Sequence, residues 1–289
     1  MSAVLPQLAE GNHWLERLNG LNWATGFSGT SFGVRVGIRV DNPELLPKIQ
    51  RHLPSDWQPS ASPVVDYLYS FRGGDQIPGT RIRRFYMCFK GPCNVVRTLD
   101  ESEALHALND AIHGDLAIVA TDYAFVHAGV VGWNGRAMVI PGSTCSGKSQ
   151  LVLALLRAGA TYYSDDVAPI DRDGRVHPAP RAIGVRDEAG VNKGIAADRF
   201  GAPIGSVPLP VGLVVSSTYE PGAVWQPRRG TAGDAALALM QHAVRAQLAP
   251  GETMQTLARA VHGARLLTGS RGEADIIARG LLAALEEIA

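Results

Sequence analysis

Cysteine is scarce in this chain, with only Cys88, Cys93 and Cys145 among 289 residues. So few exclude a disulfide framework. No second Cys/His pair stands near Cys88 and Cys93 to complete a zinc site, so they read as half-buried thiols beside strands. Charge of either sign is not in excess: 27 basic side chains face 27 acidic ones. That balance argues against a general nucleic-acid binder, whose affinity rests on cations meeting phosphates, and leaves room for a local basic site. Lysine is also rare, at Lys48, Lys90, Lys148 and Lys193 only. Arginine is the default cation, so a lysine at a motif position carries extra information. No stretch approaches the roughly 18 apolar residues of a membrane span. The start, MSAVLPQLAEGNHWLERL, has neither the basic opening nor the apolar run of a secretory signal. The expected location is therefore cytoplasmic. Internal repeats and low-complexity tracts are absent too.

What is present is a core-forming composition, 46% hydrophobic, in a chain long enough for about two domains. The texture changes near residue 120. Before it, residues 5–19 read as a short amphipathic helix and GFSGTSFG (26–33) as a loop. FGVRVGIRV (32–40) alternates like a half-buried strand. Asn42 and Pro43 open a helix to about 52. VDYLYSF (65–71), RRFYMCFKG (83–91) and NVVRTL (94–99) are strands, the last two paired. Residues 101–119 form a helix with Glu101 and Glu103 at its positive end. This half, 1–120, is a small α+β unit with no obvious chemistry, a place for recognition or oligomer contacts.

After residue 120, AFVHAGVV, WNG and RAMVIPG read as strand, tight turn, strand. QLVLALLRAG is a helix closed by Gly159. TYYSDD is a strand running into two acids. VAPIDRDGRVHPA is a hairpin turning at 171–174, and VGLVVSS (211–217) is a buried strand. Helices are expected over 231–248, 252–262 and 271–288. The second half, 121–289, is thus α/β.

Between the strand at 137–140 and the helix lies Gly142-Ser143-Thr144-Cys145-Ser146-Gly147-Lys148-Ser149, which matches G-x-x-x-x-G-K-[ST] without departure. Glycines let successive N–H groups turn inward as a nest for phosphate oxygens. The helix that follows adds its positive N-terminus. Lys148 would reach the β- and γ-phosphates of ATP, and Ser149 would offer a hydroxyl to Mg²⁺. A strand before and a helix after are the context the mechanism requires. Asp165 and Asp166 fall 16 and 17 residues after Ser149, where a following strand ends. Alone they would be a solvated turn. Beside a phosphate loop, one can hold the metal and the other can take a proton from an attacking hydroxyl.

The order His127-Ala-Gly-Val, phosphate loop, R-A-G, Ser164-Asp165-Asp166-Val resembles the core of the HPr kinase/phosphorylase family. There a histidine, a GxxGxGKS loop and an Ala-Asp-Asp triplet follow one another at this spacing. The resemblance covers residues 124–171, with a weaker trace in IGVR (183–186) and WQPRRG (225–230). It implies an HPr-kinase-type phosphate-loop fold, related to phosphoenolpyruvate carboxykinase. It also implies an ATP- and Mg²⁺-dependent kinase acting on a serine of a small protein or peptide. By the same resemblance Lys148 binds phosphate, Ser149 and Asp165 serve the metal, Asp166 is the base, and His127 faces the site. Arg228 or Arg229 matches a late active-site arginine. The family forms hexamers, so a homo-oligomer is among the implied partners; nucleic acid and membrane are not. The chain departs from the family at Gln150, where the family has Glu, and at Gly184, where it has a metal-assisting Glu for which Asp187 or Glu188 would substitute. The late Pro-Gly-Arg-Asn signature tied to phosphorylase activity is missing as well. A divergent kinase whose substrate is not HPr is the resulting expectation. The alternatives are a nucleotide-binding regulatory module without kinase activity and a small-molecule kinase. Arg181 and Arg186 fall in segments that return toward the strand ends, though each alone reads as a surface residue. Trp225, beside Pro227, reads as a packing anchor, with adenine stacking as the alternative.

Overall fold

The computed structural model describes residues 7–8, 13–74, 83–143, 146–186, 192–195 and 197–288. The chain divides into two compact units, 1–120 and 121–289. No helix among the described residues is long and apolar enough to cross a membrane.

In the first unit the elements run β1 (Gln7–Leu8), α1 (His13–Asn19), β2 (Thr25–Ser31), β3 (Val34–Val40), α2 (Leu46–Gln50) and β4 (Gln58–Ser60). They continue with β5 (Val64–Val65), β6 (Tyr67–Arg72), β7 (Tyr86–Lys90), β8 (Cys93–Thr98) and α3 (Glu101–Val119). Six strands form a sheet in the order β4-β2-β3-β6-β7-β8. The long helix α3 buries Ala104, Leu108, Ile112 and Leu116, one residue per turn on a single face. The Asp100 side chain accepts the Glu103 N–H and so caps it. The expected loop at 26–33 is instead mostly strand β2, joined to β3 through Phe32 and Gly33, both at positive φ. Gly33 serves the turn, whereas Gly29 serves packing. A Cβ on Gly29 would lie 2.3 Å from the Trp57 ring. Of the helix expected over 5–19, His13–Asn19 is helix α1 and Gln7–Leu8 is instead strand β1; residues 1–6 and 9–12 lie outside the described residues.

The second unit runs β9 (Tyr123–Trp133), β10 (Arg136–Pro141), α4 (Lys148–Arg157), β11 (Thr161–Ser164), β12 (Val167–Asp171), β13 (Arg175–Val176), β14 (Ile183–Arg186) and β15 (Asn192–Ile195). After these come β16 (Leu209–Tyr219), β17 (Arg228–Gly230), α5 (Ala232–Met240), α6 (Pro250–Ala260), β18 (Arg265–Arg271) and α7 (Ala274–Glu286). This is an α/β architecture in three layers. Strands β10, β16 and β18 are parallel neighbours, with β9 and β17 antiparallel to them. Met138 and Ile140 of β10 face one core with α4 and α7. Ala137 and Val139 face a second core with α5 and α6. The strand's alternation thus feeds both layers. Helix α4 is apolar on all sides from Leu151 to Leu156 because it is buried on all sides.

Two expected helices differ. The helix over 231–248 begins with a capping box between Thr231 and Asp234 but stops at Met240. Beyond it the backbone turns to bond β9: His127 N–H donates to the His242 carbonyl at 2.8 Å, and Val244 N–H to the Phe125 carbonyl at 2.8 Å. The free edge of a strand outcompetes alanine's helix propensity. The helix expected from 271 starts at Ala274, and RLLTGSR before it is strand β18, which pairs with β16 and β17. With only two apolar residues, that strand carries no period of its own.

Candidate functional site

The site is built around β9. Along one side β9 pairs with β10; along the other it pairs with β11 and then β12, almost as one strand. Asp165 and Asp166 occupy the step between β11 and β12, beside His127. The Asp166 carbonyl accepts the Ala128 N–H at 3.1 Å, and the Ser164 hydroxyl accepts the N–H groups of Asp166 and Val167 at 3.3 and 3.1 Å. The two acids are therefore held by backbone on both sides.

The loop from β10 to α4 arrives at the same place. Gly147 is the N-cap of α4 with φ +82°, a conformation glycine adopts freely and other residues resist. Its carbonyl accepts the Leu151 N–H at 3.1 Å and starts the helix. The N–H groups of the first turn have no acceptor within the helix and point forward with its dipole. A Cβ on Gly142 would meet the Ser146 hydroxyl at 2.6 Å, so the loop closes tightly on itself. Ser143 and Gln150 are exposed. Thr144, Cys145, Asp187, Glu188 and the Arg186 side chain lie outside the described residues.

Lys148 is buried, and its Nζ donates to the Gly142 carbonyl at 3.2 Å and lies 3.1 Å from His127 Nε2. Its alkyl chain runs over Gly129, where a Cβ would come 3.2 Å from Lys148 Cγ and 2.5 Å from Val152 Cγ2. Burial lowers the lysine's pKa, and the charges of Asp165 and Asp166 oppose that shift. With Nε2 accepting from Lys148, His127 carries its proton on Nδ1, which stands 3.2 Å from Asp166 Oδ1. The other Asp166 oxygen accepts from Arg181 Nη1 at 2.9 Å. The result is a connected row: Lys148, His127, Asp166, Arg181. The hydrogen bond from His127, helped by the charge of Arg181 and opposed by burial, holds the Asp166 carboxyl below the usual range.

Asp165 has a different environment. It is 6% exposed. Its Oδ2 accepts the Ser149 hydroxyl at 2.8 Å and the Gly184 N–H at 3.3 Å, while Oδ1 is buried with no hydrogen-bond partner. Burial pushes this carboxyl up to about 6. An orphaned buried carboxylate oxygen next to a serine hydroxyl fits a small hard cation. Among the described residues no cluster of three or more His, Cys, Asp or Glu side chains stands ready for a metal. A cation held by Ser149 and Asp165 would take its remaining oxygens from water and phosphate, as Mg²⁺ commonly does.

The structure brings together His127, Gly142, Gly147, Lys148, Ser149, Asp165 and Asp166. Arg228 and Arg229 lie exposed on edge strand β17 opposite Thr268 and Leu267. Among the described residues no hydrogen bond or ion pair joins either to Lys148, His127 or the acids. The arginine that does contact the acid pair is Arg181, whose carbonyl is fixed by the hydroxyl of buried Tyr162 at 2.8 Å. Three further residues escape sequence reasoning. His242 supplies the carbonyl that holds the backbone of His127; its own pKa is lowered chiefly by burial. Arg271 reaches the Gly147 carbonyl at 2.7 Å. Gly129 admits the lysine chain, and for it a signal existed: a glycine inside a strand pattern marks close approach.

No protein-family model matches the chain, and no curated protein matches it. Among solved structures the chain is similar to the Hpr(Ser) kinase/phosphatase from Coxiella burnetii, at 15% identity. The match spans 56% of this chain and 94% of that one, with a TM-score of 0.34. At that degree of likeness nothing about this chain's chemistry follows from it.

Proposed function

We propose that the chain is an ATP-dependent kinase of the HPr-kinase type that transfers the γ-phosphoryl group to a hydroxyl, a serine of a small protein or peptide. The observation that carries the reading is the hydrogen bond from Ser149 of the glycine-rich loop to Asp165, with Asp166 joined to Lys148 through His127. A phosphate nest and an acid pair thereby form one site.

In this reading the N–H groups at the start of α4 hold the phosphates. Lys148 leaves the Gly142 carbonyl and His127 to follow charge building on the bridging oxygen. Ser149 and Asp165 hold Mg²⁺, which supplies neutralisation of phosphate charge. Asp166 accepts a hydrogen bond from the acceptor hydroxyl and sets it in line. A bond forms between the acceptor oxygen and the γ-phosphorus as the β–γ bridging P–O bond breaks. The hydroxyl proton passes to Asp166, and ADP leaves. The depressed pKa of Asp166 makes it ionised at neutral pH and a weak base, which suits a loose transition state that demands little proton affinity. Rate then comes from positioning and electrostatics.

The test is incubation of the protein with labelled ATP, Mg²⁺ and a cell extract, with mass spectrometry of the labelled species. Label on a peptide or protein serine is the expected result. Lys148→Ala should abolish transfer. Asp166→Asn should lower it by about 10²–10⁴-fold with ADP binding retained; normal turnover in that variant would remove the base assignment. Binding of nucleotide with no acceptor labelled would favour a regulatory module, the reading to which Gly184 in place of a metal-assisting Glu points. Label on a small molecule would make it a small-molecule kinase.

A further inference from the structure

A buried cation that no motif names stands directly against the loop. Arg271 is the last residue of β18 and is 2% exposed. Strands β10, β16 and β18 are parallel, so their C-terminal ends share one edge of the sheet. That register carries Arg271 to the loop across 124 positions of sequence. Its Nη2 donates to the Gly147 carbonyl at 2.7 Å and its Nη1 to the Gly272 carbonyl at 2.9 Å. A Cβ on Gly147 would lie 2.6 Å from Nη2, so a side chain there would displace the guanidinium. The Tyr219 ring lies 5.6 Å from the guanidinium carbon, and the Tyr219 hydroxyl donates to Glu273 at 3.0 Å. Nε is buried with no hydrogen-bond partner. Among the described residues no ion pair involves Arg271. Burying a guanidinium without a direct ion pair is costly. Burial lowers the arginine's pKa, and the charge of Glu273 opposes that shift without forming an ion pair with it; an anion at the start of α4 would stabilise the charge further.

We propose that Arg271 is a positioning residue of the nucleotide site. It clamps the Gly147 carbonyl, and with it the N–H groups that open α4, and its buried charge is met by the polyphosphate of the bound nucleotide. The proposal rests on the nucleotide-loop reading above. The experiment is a titration of the full chain with ADP and Mg²⁺ by calorimetry, with pyrophosphate as competitor and a melting curve for each variant. Wild type is measured first: no ADP uptake there defeats the loop reading itself. Given wild-type binding, Arg271→Met should weaken both ADP and pyrophosphate by about tenfold or more, the size of a lost charged hydrogen bond. A merely structural arginine would lower the melting temperature and leave the dissociation constants of the folded protein unchanged. Arg271→Met that binds within twofold of wild type therefore overturns the proposal. If that variant does not fold, Arg271→Lys replaces it; lysine keeps the charge but cannot span both carbonyls. A loss of about threefold or more is then expected, and unchanged affinity overturns the clamp.

Discussion

Two neighbouring carboxylates, Asp165 and Asp166, are driven in opposite directions by what surrounds them. Asp166 is half-exposed and bonded by His127 and Arg181, which favour its charged form. Asp165 is buried with an unpartnered oxygen, which disfavours its charge. Because its carboxyl holds a proton more tightly in the folded chain than in the unfolded one, Asp165 weakens the metal-free fold as pH rises through about 6. Asp165→Asn should accordingly stabilise the metal-free protein at pH 8, by about 1–2 kcal/mol. That advantage should narrow as pH falls from about 6 toward the ordinary carboxylate range near 4. Denaturant unfolding at several pH values measures it. A destabilised Asn variant at pH 8 would contradict the environment described. The same variant should lose the Mg²⁺ dependence of nucleotide binding, so that stability is gained where function is lost.

At the level of elements, β9 organises the site because it is paired along both sides and bears His127, Ala128 and Gly129 in succession. Helix α4 crosses it so closely that Gly129 is needed. Gly129→Ala would push its Cβ to 2.5 Å from Val152 Cγ2, which should cost about 1–3 kcal/mol as an overpacked contact and shift the first turn of α4. ADP affinity should drop with it. Adding Val152→Ala removes the clashing methyl, so the double variant should recover affinity relative to Gly129→Ala alone. A double-mutant cycle with no coupling would show that the contact does not set the helix position. The end of α5 teaches the complementary lesson. The sequence after Met240, QHAVRAQL, contains no glycine or proline to end a helix, yet the chain leaves it to bond β9 at His127 and Phe125.

For the whole molecule, every residue assigned to the proposed chemistry lies in 121–289, while the first unit has its own sheet and its own buried helix face. Calorimetric unfolding of the full chain should then show two transitions, with only one moved upward by ADP and Mg²⁺ according to ligand linkage. A single transition, or two that move together, would mean that the units unfold as one.

Residue types, spacing and period already determined the strand over 136–141, the helix over 148–157, the helix over 101–119 and the hairpin at 171–174, because their glycines, caps and apolar faces are local properties of the chain. They also placed two acids a strand away from a glycine-rich loop. What they did not contain is which arginine meets those acids. Arg228 and Arg229 end on an exposed edge strand, Arg181 reaches Asp166, and Arg271 reaches Gly147. Strand β18 and the carbonyl of His242 were equally silent. Those facts arise from pairing between strands distant in sequence and from where buried charge is desolvated. Tertiary structure decides them, because a hydrogen bond across a sheet leaves no period in either partner.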